Sequence, residues 1–249
     1  MAEQNTYRQS GLAFPQDEGL YHFSNEHDAC GVGLVANLSG LATHEIVTQG
    51  LTILLRLLHR GAAGSDALSG DGAGLLCVIP HGFFQRELGG CLPSPGHYAL
   101  GMMFNGIGQE DALEAIVREE GCQVLAWREV PIDTAQLGEQ ARQSCPVIRQ
   151  IFVTSCQGEC DDALERKVFV LRRRLEKELL DVYFPSFSTR TVVYKGLMLA
   201  TQIEAFYKDL ADEAFVSPLA LVHQRYSTNT FPTWKLAHPF RYLAHNGEN

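Results

Sequence analysis

The chain has 249 residues, 45% of them hydrophobic, and a formal net charge of -9. That is enough apolar material for a full core in one domain, and the acidic balance argues against nucleic acid or an anionic membrane surface as the main partner. No run of about 18 apolar residues occurs, so no transmembrane helix is expected. Seven cysteines without framework spacing point to free thiols in a reducing compartment.

Residues 1–29 carry Glu3, Asp17, Glu18, Glu26 and Asp28 against Arg8, and they lack an apolar core run. This is neither a signal peptide nor an Arg-rich transit peptide; it reads as a disordered tail or a leader. The strand-like run Cys30-Gly31-Val32-Gly33-Leu34-Val35-Ala36 follows. Asn37-Leu38-Ser39-Gly40 then turns into a helix expected from about His44 to His59, with Thr43 as N-cap and Gly61 as terminator. Ile46, Val47, Leu51, Leu54, Leu55 and Leu58 recur at helical spacing and predict its buried face. Leu75 to Ile79 and Tyr98 to Phe104 read as strands, and Gln109 to Glu120 as a helix stopped by Gly121. Further strands are expected at Gln123 to Val130 and Val147 to Thr154. Cys156-Gln157-Gly158-Glu159-Cys160 lacks a second ligand pair at zinc-site distance and reads as a loop before the longest helix, Asp161 to Leu180. There Leu164, Val168, Leu171, Leu175 and Leu179 form one stripe, while Arg172, Arg173, Arg174 and Lys177 form a solvated face. The alternation gives an α/β chain, and periodicity does not say how its strands pair. No repeat, low-complexity tract or linker is present.

Cys30 is the chemically informative residue. A thiol is a strong nucleophile at neutral pH but needs a base to deliver the thiolate. An α-amine has a reference pKa of about 8, so an N-terminal cysteine carries its own base. The alternative reading is a buried core thiol.

What favours the nucleophile lies downstream. His223-Gln224-Arg225-Tyr226-Ser227-Thr228-Asn229-Thr230-Phe231-Pro232-Thr233-Trp234 is followed by Pro239-Phe240-Arg241-Tyr242-Leu243-Ala244-His245-Asn246-Gly247-Glu248. With Cys30-Gly31-Val32-Gly33 and His59-Arg60-Gly61-Ala62, these segments resemble the class II glutamine amidotransferases. Ser69-Gly70-Asp71-Gly72-Ala73-Gly74-Leu75-Leu76 and Arg190-Thr191-Val192-Val193-Tyr194-Lys195-Gly196-Leu197 are similar to the subfamily found at the N-terminus of glutamate synthase large subunits. The resemblance runs from Cys30 to the last residue.

It implies the N-terminal nucleophile hydrolase fold, an αββα sandwich of two antiparallel sheets between helical layers. It also implies a propeptide over 1–29 and an amidotransferase domain over 30–249. Cys30 is then the nucleophile, freed by cleavage after Ala29. Asn246 through its side-chain amide and Gly247 through its backbone N–H match the oxyanion hole. Arg225 matches the guanidinium that grips the substrate α-carboxylate, assisted by Thr228; a planar fork suits a carboxylate. Gly31, Arg60 and Asp71 are expected as site supports, although Arg60 also suits helix-terminal carbonyls and Gly70-Asp71-Gly72 also suits a simple turn. His59, His223 and His245 lack paired helical spacing, and no metal site is expected.

The chain departs from the family at its end. The usual His-Asn-Gly-Glu-Ile-Asn is His245-Asn246-Gly247-Glu248-Asn249 here, and the acidic residue for the substrate α-amino group normally lies beyond it. The expectation is an incomplete amidotransferase portion with no cofactor of its own; FMN and an iron-sulfur cluster belong to the remainder of a glutamate synthase. The implied reaction is glutamine amide hydrolysis, delivering ammonia for glutamate synthesis from 2-oxoglutarate. The implied partners are L-glutamine, the rest of the large subunit and the small subunit, and the implied compartment is the cytoplasm. Alternatives are another class II enzyme, such as a relative of amidophosphoribosyltransferase or asparagine synthetase, and an inactive fragment serving as a binding or assembly module.

Overall fold

The computed structural model of the protein describes residues 31–61, 66, 68–225 and 231–242. Eight strands form two antiparallel four-stranded sheets. The first contains β1 (Gly31–Ala36), β8 (Leu219–Gln224), β2 (Ala73–Val78) and β7 (Thr191–Gly196), in that order. The second contains β4 (Cys122–Glu129), β5 (Ile148–Ser155), β3 (Ala99–Phe104) and β6 (Tyr183–Ser188). Helices lie on both sheets, as the expected fold class requires.

Helix α1 (His44–Arg56) covers the first sheet. Thr43 caps it through Oγ1, which accepts the Ile46 N–H at 3.4 Å. Ile46, Val47, Leu51 and Leu54 are buried beneath it, each stabilising the fold by about 1.5–3 kcal/mol relative to exposure. The helix is shorter than its sequence period suggests. After Arg56 the backbone tightens into a 3-10 turn over Leu58–Arg60, which rotates the stripe off the sheet. Leu58 in that turn is exposed, not core, and so is Leu55, which is still helical but lies past the edge of the buried face of α1. Gly61 follows that turn in an extended conformation, with φ -106°.

The second sheet is a β-α-β-β-α-β split unit. Helix α3 (Glu110–Glu119) links β3 to β4, and α5 (Asp161–Glu178) links β5 to β6. Leu113, Ile116 and Val117 of α3 meet Leu164, Val168, Leu171 and Leu175 of α5 in a separate core against this sheet. Gly121, at φ +70°, ends the helical turn of α3. Part of the basic face expected to be solvated is paired within the chain: Arg174 reaches Glu119, Glu120 and Glu178 at 2.6–3.0 Å, and Arg172 reaches Glu176 at 3.2 Å. Pattern reading missed the short helix α2 (His81–Glu87), and it missed α4 (Glu139–Gln143) and α6 (Ile203–Phe206) as well.

A buried polar network ties the two sheets together. Arg128 of β4 donates to both carboxylate oxygens of Asp209, at 2.9 and 2.7 Å, and the Tyr194 hydroxyl of β7 donates to the same carboxylate at 2.7 Å. Gln150 of β5 donates to the Tyr194 oxygen at 3.1 Å. Among the described residues, no helix is long and apolar enough to cross a membrane, and the six cysteines are free thiols.

Candidate active site

The predicted site residues that the structure describes gather at one end of the first sheet. Strand β1 begins at Gly31, which is the register partner of Gln224, and Gln224 in turn pairs with Ala73 of β2. Arg225 therefore leaves β8 between the beginnings of β1 and β2. It is only 6% exposed. Its backbone N–H donates to the Gly72 carbonyl at 2.8 Å, and its Nη1 donates to the Asp71 carbonyl at 3.4 Å. The Gly70-Asp71-Gly72 turn thus does more than lead into β2, because it holds Arg225 in place.

Arg60 reaches the same end from α1. A Cβ on Gly31 would stand 3.0 Å from the Arg60 Cβ and 3.1 Å from the Leu57 Cβ, so glycine is what lets the 3-10 turn sit on the start of β1. A Cβ on Gly61 would stand 2.3 Å from the Gln224 Nε2, and that amide nitrogen donates to the Gly72 carbonyl at 3.3 Å. The Gln224 side chain, which the sequence does not single out, is the buried link between the Arg60-Gly61 turn and the Asp71-Gly72 turn. Cys30, Thr228, Asn246 and Gly247 lie outside the described residues, as does His245. Of the remaining histidines considered for a metal, His59 is exposed and His223 is buried with its ring stacked on His238 at 4.3 Å. Among the described residues, no group of three or more His, Cys, Asp or Glu side chains is gathered to hold a metal ion.

A family model of the class II glutamine amidotransferases matches residues 30–249. The chain belongs to that family. The amidotransferase is 48% identical over 98% of its length to the glutamate synthase [NADPH] large chain of Bacillus subtilis, and 42% identical over 92% to that of Azospirillum brasilense. It is 39% identical over 94% of its length to ferredoxin-dependent glutamate synthase 1 of Arabidopsis thaliana. It spans only 15–16% of the length of these relatives.

A second cluster in the amidotransferase adjoins the first. Residues 235–241 cross the face of the first sheet that carries Gly74, Lys195 and His223. Gly74 makes this approach possible, since a Cβ there would lie 2.3 Å from the His238 carbonyl oxygen and 2.7 Å from the Pro239 Cδ. Lys195 is fully buried in β7. Its Nζ donates to the carbonyls of Ala237 at 2.6 Å and Lys235 at 3.0 Å, and contacts the Tyr183 hydroxyl at 3.0 Å. The Phe240 ring lies 4.4 Å from the same nitrogen. Burial first, then the nearby guanidinium groups of Arg172 and Arg225, pulls this amine well below the ordinary lysine value, and Glu176 opposes that shift. Beyond Phe240, Arg241 pairs with Glu165 of α5. Glu165 also accepts from the Thr189 N–H at 2.6 Å and its hydroxyl at 2.7 Å. The sequence places Lys195 in a motif without indicating a role for it. The available signal was a single cation in the otherwise uncharged strand Thr191–Gly196.

Proposed function

We propose that the chain hydrolyses the side-chain amide of L-glutamine with Cys30 as an N-terminal nucleophile, after removal of residues 1–29. The Cys30 sulfur adds to the amide carbonyl carbon while the Cys30 amine takes the thiol proton and passes it to the departing nitrogen. The C–N bond breaks, ammonia leaves and a γ-glutamyl thioester remains. Water then adds to the thioester, the C–S bond breaks and glutamate is released. Asn246 and Gly247 donate to the tetrahedral oxyanion in both steps. Arg225, assisted by Thr228, binds the substrate α-carboxylate, and Gly31, Arg60 and Asp71 support the site.

The observation that carries this reading is the register of β1 on β8. The residue next to Cys30 in sequence stands opposite the residue next to Arg225, and Arg225 is a buried guanidinium anchored by the Asp71-Gly72 turn. Similarity to glutamate synthases supports a setting in which the ammonia meets 2-oxoglutarate to form glutamate. In that setting FMN, an iron-sulfur cluster and a small subunit belong to the rest of the enzyme, and the cytoplasm is the proposed compartment.

The test is ammonia release from L-glutamine by the purified protein, with intact mass and N-terminal sequencing. The active species is expected to begin at Cys30, and Cys30→Ala is expected to abolish release while retaining the fold. Full activity in a chain that still carries Met1, or in Cys30→Ala, overturns the mechanism.

A further inference from the structure

We infer that Lys195 is a positioning residue for the reaction, acting by fixing the strap formed by residues 235–241 against the first sheet. The inference rests on the oxyanion role proposed for Asn246 and Gly247, which lie five and six residues beyond the end of the strap in sequence.

A fully buried lysine is costly unless its donors are matched. Here they are matched by atoms of one segment: two of the three polar partners of Nζ are backbone carbonyls of the strap, at Lys235 and Ala237. The third, the Tyr183 hydroxyl, anchors the nitrogen to β6. The hydrogen-bonding capacity of Nζ is therefore spent on holding the strap to the junction of β6 and β7. The contact is also close along its length. Gly72 faces Ala237 and Gly74 faces His238, each across a gap that has no room for a Cβ. At the far end, Arg241 is tied to Glu165, and its Nε donates to the Thr191 hydroxyl at 3.3 Å. The strap is thus fastened on both sides of His238-Pro239. Oxyanion donors act only if they are fixed before charge develops, so the device that fixes the chain leading to them governs turnover more than substrate affinity.

The experiment compares wild type, Lys195→Met and Tyr183→Phe in the purified protein. It reads kcat and KM for glutamine hydrolysis, the Kd for L-glutamate, and thermal melting. Glutamate carries the α-carboxylate but forms no tetrahedral oxyanion. Lys195→Met is expected to lower kcat about ten- to hundredfold, somewhat less than the loss typical of a whole oxyanion donor. KM for glutamine and Kd for glutamate are expected to stay within about threefold of wild type, since uniform binding is untouched. Tyr183→Phe removes one anchor of the three, and a smaller fall in kcat with the same unchanged KM is expected; it decides the matter if Lys195→Met does not fold. Wild-type kcat in a folded Lys195→Met, or a rise in KM that accounts for the loss, overturns the inference while leaving the proposed function standing. Absence of Cys30-dependent hydrolysis in the wild type overturns both.

Discussion

Replacing Arg225 by lysine tests the proposed substrate clamp directly. The guanidinium donates through Nη1 to the Asp71 carbonyl, and the backbone beneath it is held by the Gly72 carbonyl, so the side chain is anchored before any ligand arrives. Lysine keeps the positive charge but loses the fork that meets a carboxylate with two parallel hydrogen bonds. One charge-assisted hydrogen bond contributes about 1.5–3 kcal/mol. At about 1.4 kcal/mol per tenfold, losing it weakens the hold on glutamine roughly ten- to hundredfold. The α-carboxylate lies remote from the reacting amide and is bound alike in ground and transition states. The loss is therefore expected in KM, with kcat within about threefold of wild type. Steady-state ammonia release over a wide glutamine range gives both constants, and the Kd for glutamate should weaken in parallel. An unchanged KM in a folded Arg225→Lys protein refutes the clamp. A fall in kcat at constant KM would instead place Arg225 among the groups that stabilise the oxyanion. The signature is the reverse of that expected for Lys195→Met, so the pair of variants separates holding the substrate from holding the chain.

Two further outcomes concern the scaffold. Asp209→Ala removes the two-oxygen partner of Arg128, which keeps Glu87 and the Gln150 carbonyl oxygen, each at 3.0 Å, and is expected to cost about 1.5–3 kcal/mol in urea unfolding, whereas Tyr194→Phe, which removes one neutral partner of that carboxylate, is expected to cost about 1 kcal/mol. A loss below about 1 kcal/mol in Asp209→Ala would show that the network does not join the sheets. Brief alkylation of the native protein, read by peptide mass, is expected to modify exposed Cys91 and Cys156 while sparing Cys77 and Cys122. Burial pushes the last two thiols up to about 12 and about 11, which keeps them as thiols at neutral pH. Modification of Cys77 as fast as Cys91 would contradict the packing of the first sheet.

Much of the scaffold is legible in the sequence wherever an element carries its own period and its own stop. Helix α1 has Thr43 as a cap and a stripe that buries Leu51 and Leu54; α3 has Gly121 in the left-handed region; α5 has a stripe spanning its whole length. The stripe of α1 misleads at Leu58, because a pattern count assumes that the α-helical pitch continues where the chain in fact tightens into a 3-10 turn, and at Leu55, which is helical but lies past the edge of the buried face. Strand β6 hides for a different reason. Its Tyr-Phe-Pro-Ser-Phe-Ser run carries Pro185, which demotes a strand on pattern, yet β6 is an edge strand where a missing N–H is tolerated. Helix α2 is too short for a period to register and contains Gly82. At the site, Arg225 and Asp71 are legible because their motifs are distinctive. Gln224 and Lys195 are not, since composition rules place polar and charged side chains outside, and only the tertiary neighbours of these two explain why they are buried.

Those neighbours also give a single physical reason for two motifs that are separate in sequence. Gly72 and Gly74 belong to one motif and Lys195 to the other, and Gly74 is the register partner of Lys195 across β2 and β7. Backbone flexibility does not explain Gly74, whose φ lies outside the positive range. What demands glycine there is the distance of 2.3 Å between the place a Cβ would take and the His238 carbonyl oxygen, a backbone atom that cannot swing aside like a side-chain tip. Adjacent strands thus supply complementary halves of one contact: β2 withholds a side chain so that the strap can come close, and β7 extends an amine that binds the strap's carbonyls once it is there. A buried lysine beside Arg172 and Arg225 is a poor choice for stability alone, because like charges and desolvation both oppose it. Its placement is accounted for if the location of the strap matters, and Asn246 and Gly247 lie five and six residues beyond the end of that strap in sequence.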